Sequence, residues 1–109
     1  MFHDHMVFIL YSKEEAGALG QMLSAEGIRW ADGTDPAKDT PFPSNFALWF
    51  LKSLNTSHGL YVTYMDTLYN TREYCLNYAR SQGYEPPIEF RTWALSASPC
   101  KINSIDELL

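Results

Sequence analysis

Histidine and aspartate residues are the first candidates for chemistry in this chain. In His3-Asp4-His5 the two imidazoles are two residues apart, so on a strand they would point the same way and could share a metal ion. A frayed terminus is the more common state of such a segment. His58 stands alone and would need a distant carboxylate such as Asp66 for acid–base catalysis. The sequence therefore predicts no metal site, no catalytic site and no enzyme.

Three further carboxylates, Asp32, Asp35 and Asp39, flank a glycine- and proline-containing loop from Asp32 to Asn45. Carboxylates can hold a cation, but an EF-hand needs oxygens at alternating positions and a terminal Glu, which this loop does not provide. Turn chemistry explains the three residues without an ion. Long ordered loops are often functional, and the alternative is a mobile surface excursion. We keep these aspartates as candidate partner-binding residues.

Motifs of the common enzyme and cofactor classes do not occur in the sequence. It has no nucleophile elbow, phosphate-cradling glycine loop, paired-cysteine motif or zinc-helix motif. Cys75 and Cys100 are too few for a disulfide framework and favour free thiols in the cytosol. No apolar run approaches the ~20 residues that span a bilayer, and a signal peptide is not evident at Met1. We expect a cytoplasmic protein with no cofactor and no membrane partner.

The charge balance limits the class of partner. The formal net charge is −5, which argues against direct docking on nucleic-acid phosphates because that depends on clustered Lys and Arg. An acidic chain is compatible with a basic partner, including a nucleic-acid-binding protein whose groove it would cover.

Aromatic residues are the strongest sign of a binding surface. They make up 15% of the chain, and its three tryptophans are expected in or beside the core. A domain of this size cannot bury all the remaining tyrosines with their hydroxyls bonded, and Tyr and Trp dominate interface hot spots. The alternative is an ordinary aromatic core with amphipathic edges. The candidate partner-binding residues on a predicted helix are Tyr74, Leu76 and Tyr78.

The elements that must position these residues begin with the stretch from Met6 to Trp30. Met6–Tyr11 is an apolar run typical of a strand buried on both faces. Ser12 and Glu15 form a capping box that starts a helix, and Gly27 ends it. Extended chain resumes at Ile28–Trp30, so this stretch predicts a β-α-β unit. The helix also contains Gly17 and Gly20, which predict its close approach to a sheet.

Two further apolar runs in the middle of the chain predict a hairpin. Phe46–Leu51 is ambiguous between helix and strand, but its aromatic content favours a strand. Leu60–Met65 has strong β character. A turn-rich segment separates the two runs, so we expect them to pair.

The last third of the chain predicts a second helix and a last strand. Asn70 and Glu73 form a capping box for a helix over Thr71–Gln82, with Tyr74, Cys75, Tyr78 and Ala79 on one face. Residues 88–95 begin with apolar and charged side chains in alternation, which predicts a half-exposed strand. A third capping box at Ser104 opens a short terminal helical turn.

These elements predict a single α+β domain over residues 1–109 in the order β-α-β-β-β-α-β. We expect a sheet of four to five strands, antiparallel or mixed, with two main helices on one face and a short C-terminal helical turn.

The segment from Phe8 to Gly33 resembles small phage and prophage proteins. Many of these have a strand, an acidic capped helix ending in Gly and a Trp-x-x-Gly turn, here Trp30-Ala31-Asp32-Gly33. They often end in a segment similar to Lys101–Leu109. The resemblance implies a mobile-element origin, and such proteins include inhibitors of host defence, anti-CRISPR proteins among them, and proteins that sequester nucleotide signals. It carries no functional residue over to this chain.

Two functional hypotheses follow from these observations. The first is a non-enzymatic, phage-encoded binding protein that inhibits a host protein by direct contact through its aromatic and acidic surfaces. The second is a homo-oligomer that holds a nucleotide between subunits, with Trp30 or tyrosines stacking on the base.

Overall fold

The structure is a computed structural model that describes residues 2–42, 45–53, 59–65, 67, 70–84 and 86–97. Three predictions, on the His58–Asp66 pair, on Cys100 and on the terminal turn at Ser104, lie outside the described residues. The strands are β1 (Val7–Leu10), β2 (Arg29–Trp30), β3 (Ala47–Ser53), β4 (Leu60–Tyr64) and β5 (Ile88–Glu89). The helices are α1 (Lys13–Ala25), α2 (Arg72–Ser81) and α3 (Phe90–Ala97).

The five strands form one mixed sheet in the order β2-β4-β3-β1-β5. The central pairs β1–β3 and β3–β4 are antiparallel, whereas the short edge strands β5 and β2 run parallel to β1 and β4. The α+β class, the mixed sheet and the strands predicted at Met6–Tyr11, Phe46–Leu51 and Leu60–Met65 are confirmed.

Strand β1 is buried on both faces, as its continuous apolar sequence predicts. Phe8 and Leu10 point into one hydrophobic cluster, and Val7 and Ile9 point into another on the opposite side of the sheet. The first cluster contains buried residues of α1 and α3, and the second contains buried residues of α2. We call these two sides the α1 face and the α2 face.

The placement of both main helices on one face is therefore wrong. Leu19 and Leu23 of α1 pack on the α1 face, whereas Cys75 and Ala79 of α2 pack on the α2 face. The physical reason lies in β1, because a strand with apolar residues at every position must be covered on both sides.

The predicted strand over residues 88–95 is also corrected. Only Ile88–Glu89 is a strand, and α3 begins at Phe90. Phe90, Trp93 and Ala94 recur at helical spacing, and all three pack into the cluster on the α1 face. The alternation of Ile88 to Arg91 covers too few residues to outweigh this helical period.

The Ser12 cap of α1 is confirmed, but the Glu15 carboxylate bonds the Tyr11 amide and not the amide of Ser12 as a capping box would. The Ser12 hydroxyl accepts a hydrogen bond from the Glu15 amide at 3.1 Å, and the Glu15 carboxylate accepts one from the Tyr11 amide at 3.5 Å. The Glu15 side chain is only 1% exposed and pairs with Arg91 of α3 at 2.6 Å. The cap therefore also joins α1 to α3.

The cap of α2 lies one residue later than predicted. Thr71, not Asn70, is the N-cap, and its hydroxyl accepts from the Tyr74 amide at 3.1 Å. The helix ends at Ser81, and Gly83 adopts a φ of +84° as a helix-terminating glycine does.

The loop after β2 is fastened to the α1 face. The indole Nε1 of Trp30 donates to the Asp39 carbonyl at 2.7 Å, and that of Trp49 donates to the Pro41 carbonyl at 3.1 Å. A Cβ placed on Gly20 would lie 2.1 Å from the Pro36 carbonyl oxygen. Gly20 therefore allows the approach of this loop, not of a sheet as predicted, and a Cβ on Gly17 would meet nothing within 4 Å.

Among the described residues, no helix combines the length and the apolar character needed to cross a membrane.

Candidate functional site

An open groove of about 620 Å³ lies on the α2 face, where α2 leaves part of the sheet uncovered. Cys75 and Ala79 of α2 pack against β1 and β3, and no fully buried residue of β4 belongs to their cluster. The face of β4 therefore forms an open floor beside the helix. A concave site of this volume is within the range that binds small molecules.

Side chains from two strands form the floor of this groove. Phe50 and Lys52 of β3 alternate onto the α2 face, as do Tyr61 and Thr63 of β4. Lys52 lies directly opposite Tyr61 in the β3–β4 register, and Phe50 lies opposite Thr63. An amine and a phenol ring are thus neighbours on the floor, since opposite Cβ atoms in such a pair are about 5 Å apart.

The helix supplies one wall, and the segment after it supplies the inner end. Tyr78 of α2 lines the wall, and Tyr84 packs its ring edge against Phe50 at a centroid distance of 4.9 Å. The His5 ring lies 5.6 Å from that of Tyr84. Among the described residues other than glycine, only His5 has a positive φ, at 70°. Backbone strain of this kind clusters at functional sites.

Asp4 fixes this inner end by hydrogen bonds. Its carboxylate accepts from the Ser53 amide at 3.0 Å and from the Ser53 hydroxyl at 2.8 Å, and it lies 3.0 Å from His5 Nδ1. Partial desolvation acts to raise the pKa of Asp4, but the Ser53 hydrogen bonds and the His5 charge together lower it below its ordinary value. The carboxylate is thus already engaged by protein groups.

Lys52 and Tyr84 form the second polar pair of the groove. Burial raises the pKa of the Tyr84 hydroxyl, and the nearby Lys52 ammonium lowers it by a smaller amount. The hydroxyl therefore stays protonated at neutral pH, which makes it a hydrogen-bond donor and not a nucleophile. Within the described part of the chain, Lys52 forms no ion pair. Its positive charge faces the groove.

The candidate residues of α2 divide between surface and core. Tyr74 and Tyr78 are 55% and 43% exposed, as a binding surface requires. Leu76 is half-buried and packs against the cluster that contains Cys75. Cys75 and Ala79, which the sequence placed on one face with these tyrosines, are fully buried, so the tyrosines lie at the margin of the helix. Leu76 is therefore a packing residue first.

The candidate aspartates lie on the other side of the molecule, in the loop fastened to the α1 face. Asp32 accepts from the Thr34 hydroxyl at 2.7 Å and its amide at 3.0 Å, and these bonds lower the pKa of Asp32. Asp35 accepts from the Ala37 amide at 2.9 Å, and this bond, helped by the Ser24 hydroxyl, lowers the pKa of Asp35. The backbone carbonyl of Asp39 receives the Trp30 indole, and its side chain is exposed.

The structure therefore does not bring the acidic and aromatic candidates together. It also removes Trp30 as a stacking platform, because that side chain is buried and hydrogen-bonded to the loop. In the described ranges, no three His, Cys, Asp or Glu residues come together in a group that could hold a metal ion.

Sequence reasoning missed the groove residues Lys52 and Tyr84. A usable signal is present in β3, where Phe50 and Lys52 occupy alternate positions, and in β4, where Tyr61 and Thr63 do the same. Two paired strands that carry polar and aromatic residues on one side predict an incompletely covered sheet face. The contribution of Tyr84 depends on the path of the chain after α2, which spacing does not reveal.

Comparisons with known proteins gave no match for this chain, whether with family models, with curated proteins or with solved structures.

Proposed function

We propose that this chain is a non-enzymatic binding protein that acts by direct contact with a partner protein. The binding surface is the rim formed by the exposed side chains of Tyr74 and Tyr78 together with the adjoining groove. The observation that carries the proposal is the exposure of both tyrosines beside an open concave surface. Such residues are those that most often dominate the energy of protein interfaces.

The chemistry of the groove supports binding over catalysis. Asp4 is held by Ser53, and the Tyr84 hydroxyl stays protonated, so neither is poised as a base or a nucleophile. The resemblance of Phe8–Gly33 to phage proteins extends the proposal to a host partner, and inhibition of a host defence protein is its most specific form.

The charge distribution indicates which surface of the protein contacts the partner. Asp32, Asp35 and Asp39 lie on the loop of the α1 face, away from the groove, whose described lining includes Lys52. A basic partner would therefore be attracted to the loop side, whereas the tyrosine rim favours a less charged, apolar contact. We assign the partner protein to the rim because its aromatic side chains are exposed, while the loop carboxylates of Asp32 and Asp35 are engaged in turn hydrogen bonds.

A capture experiment tests this assignment. The immobilised protein is exposed to a host lysate, and the recovered partner is purified for affinity measurement against variants. We expect Tyr74→Ala combined with Tyr78→Ala to weaken binding at least tenfold, since each truncated hot-spot tyrosine costs on the order of 2 kcal/mol. Both residues are exposed, so the thermal unfolding midpoint of the variant should stay close to that of the wild type.

Leu95→Ala is the matched control. Leu95 is 38% exposed, but it lies on α3, which packs on the α1 face, and it is not part of the groove lining. We expect this variant to retain the partner. Equal loss of binding in both variants, or recovery of no partner at low salt, would contradict the proposal.

A further inference from the structure

Two aromatic rings of the groove have no aromatic neighbour among the described residues. Phe50 and Tyr84 pack against each other, and Trp30 and Trp49 do the same at 4.9 Å. By contrast, among the described residues no aromatic ring packs against Tyr61 on the floor or Tyr78 on the wall. A planar ligand could stack on either face without displacing a protein ring.

A positive charge lies beside the first of these rings. Lys52 is the cross-strand neighbour of Tyr61, and it lines the groove together with Tyr84 at the inner end. The nearby Asp4 carboxylate is held by the amide and hydroxyl of Ser53. The ammonium and the protonated phenol therefore offer two donors to an incoming anion.

We propose that the groove binds a mononucleotide within a single chain, with the base against Tyr61 and Tyr78 and the phosphate on Lys52 and the Tyr84 hydroxyl. This site adjoins the proposed partner surface and shares Tyr78 with it, but it binds a different class of ligand and is tested separately. It also differs from a nucleotide site between subunits, because every group named belongs to one chain.

The dimensions and the charge select a mononucleotide over a polynucleotide. The groove volume of about 620 Å³ is ample for one base, sugar and phosphate. A polynucleotide needs a basic track along its backbone, whereas Lys52 is the only Lys or Arg in the described lining of the groove, and the chain carries a net charge of −5.

Calorimetric titration with three related probes tests the ligand class. Adenosine 5′-monophosphate has both the ring and the anion, adenosine has only the ring, and inorganic phosphate has only the anion. We expect the monophosphate to bind with a submillimolar dissociation constant and adenosine to bind about tenfold more weakly, because it loses the charged hydrogen bonds to Lys52. We expect no measurable binding of phosphate alone.

Variants of the floor residues locate the site. Lys52→Gln should weaken binding of the monophosphate about tenfold and leave adenosine unchanged, and Tyr61→Leu should weaken both by about tenfold. The matched controls are Lys38→Gln and Leu95→Ala, which change exposed residues outside the groove lining and should bind like the wild type.

Two results would overturn the proposal. The first is the absence of heat with the monophosphate at millimolar concentrations of a protein that melts normally. The second is binding that Lys52→Gln and Tyr61→Leu leave intact, since the ligand would then lie elsewhere. Neither result would contradict the proposed interface with a partner protein, because that proposal depends on the exposed tyrosines of α2.

Discussion

The two faces of one sheet differ in how completely they are covered. In the described part of the chain, the cluster on the α1 face contains 15 buried residues and the cluster on the α2 face contains 7. Two helices and a fastened loop close the α1 face, whereas α2 closes only part of the other. The groove is thus the part of the sheet left uncovered.

This difference separates the main source of stability from the surface that we propose for binding. Most of the buried apolar side chains lie on the α1 face. Burial of apolar surface is the dominant favourable contribution to the free energy of folding. The α2 face retains exposed tyrosines and the groove residue Lys52 beside a smaller core. Substitutions should therefore affect stability strongly on the first face and weakly on the second.

The largest expected effect comes from the same truncation made on each face. Leu19→Ala removes a fully buried side chain from the α1 face and should lower the free energy of unfolding by about 3 kcal/mol. Leu76→Ala, on the α2 face, removes a half-buried one and should cost about 1 kcal/mol. Urea unfolding measures both, and equal losses would break the comparison between the faces.

A smaller effect is expected from two glycines three residues apart in α1. Gly20→Ala should lower the free energy of unfolding by about 2 kcal/mol, because its Cβ would collide with the Pro36 carbonyl and displace the loop. Gly17→Ala meets open space and should raise the free energy of unfolding by up to about 1 kcal/mol. If both variants were stabilised in the same assay, the close approach of the loop would be disproved.

The smallest expected effect is a change in the pKa of the Asp4 carboxylate, which lies at the inner end of the groove. Because the pKa of Asp4 is lowered, its stabilising contribution is complete above the ordinary value of about 3.9 and is lost as the pH falls through the folded-state pKa. Ser53→Ala should raise the midpoint of Asp4 toward the ordinary value in an NMR titration. The midpoint of Asp32, which depends on Thr34, should not move and serves as the internal control.

Local signals in the sequence account for most of the fold. The apolar run of β1, the Ser12 cap and the terminating Gly27 define the β-α-β start, and the structure has each element where these residues predict it. The second helix is displaced by one residue, because Thr71 can cap as well as Asn70. These features depend on contacts within a few residues, which is why spacing reveals them.

Features that depend on distant contacts could not be predicted. The side chains of Val7 and Ile9 must be shielded from water on the α2 face, and α2 packs there for that reason. The residues of α2 alone do not reveal which face it covers. Three parts of the chain converge to form the groove. They are Asp4–His5, the β3–β4 pair, and Tyr84 in the segment that follows α2. Helical spacing identified Tyr74 and Tyr78 as surface candidates but could not show what lies beside them.

The pairing of Glu15 with Arg91 has a consequence for synthesis of the chain. Seventy-six positions separate the two partners, so a nascent chain holds the Glu15 carboxylate without its guanidinium partner until Arg91 has left the ribosome. Burial of that carboxylate before the guanidinium arrives would be unfavourable. Docking of α1 should therefore follow the synthesis of residues 90–97 and be coupled to the formation of α3.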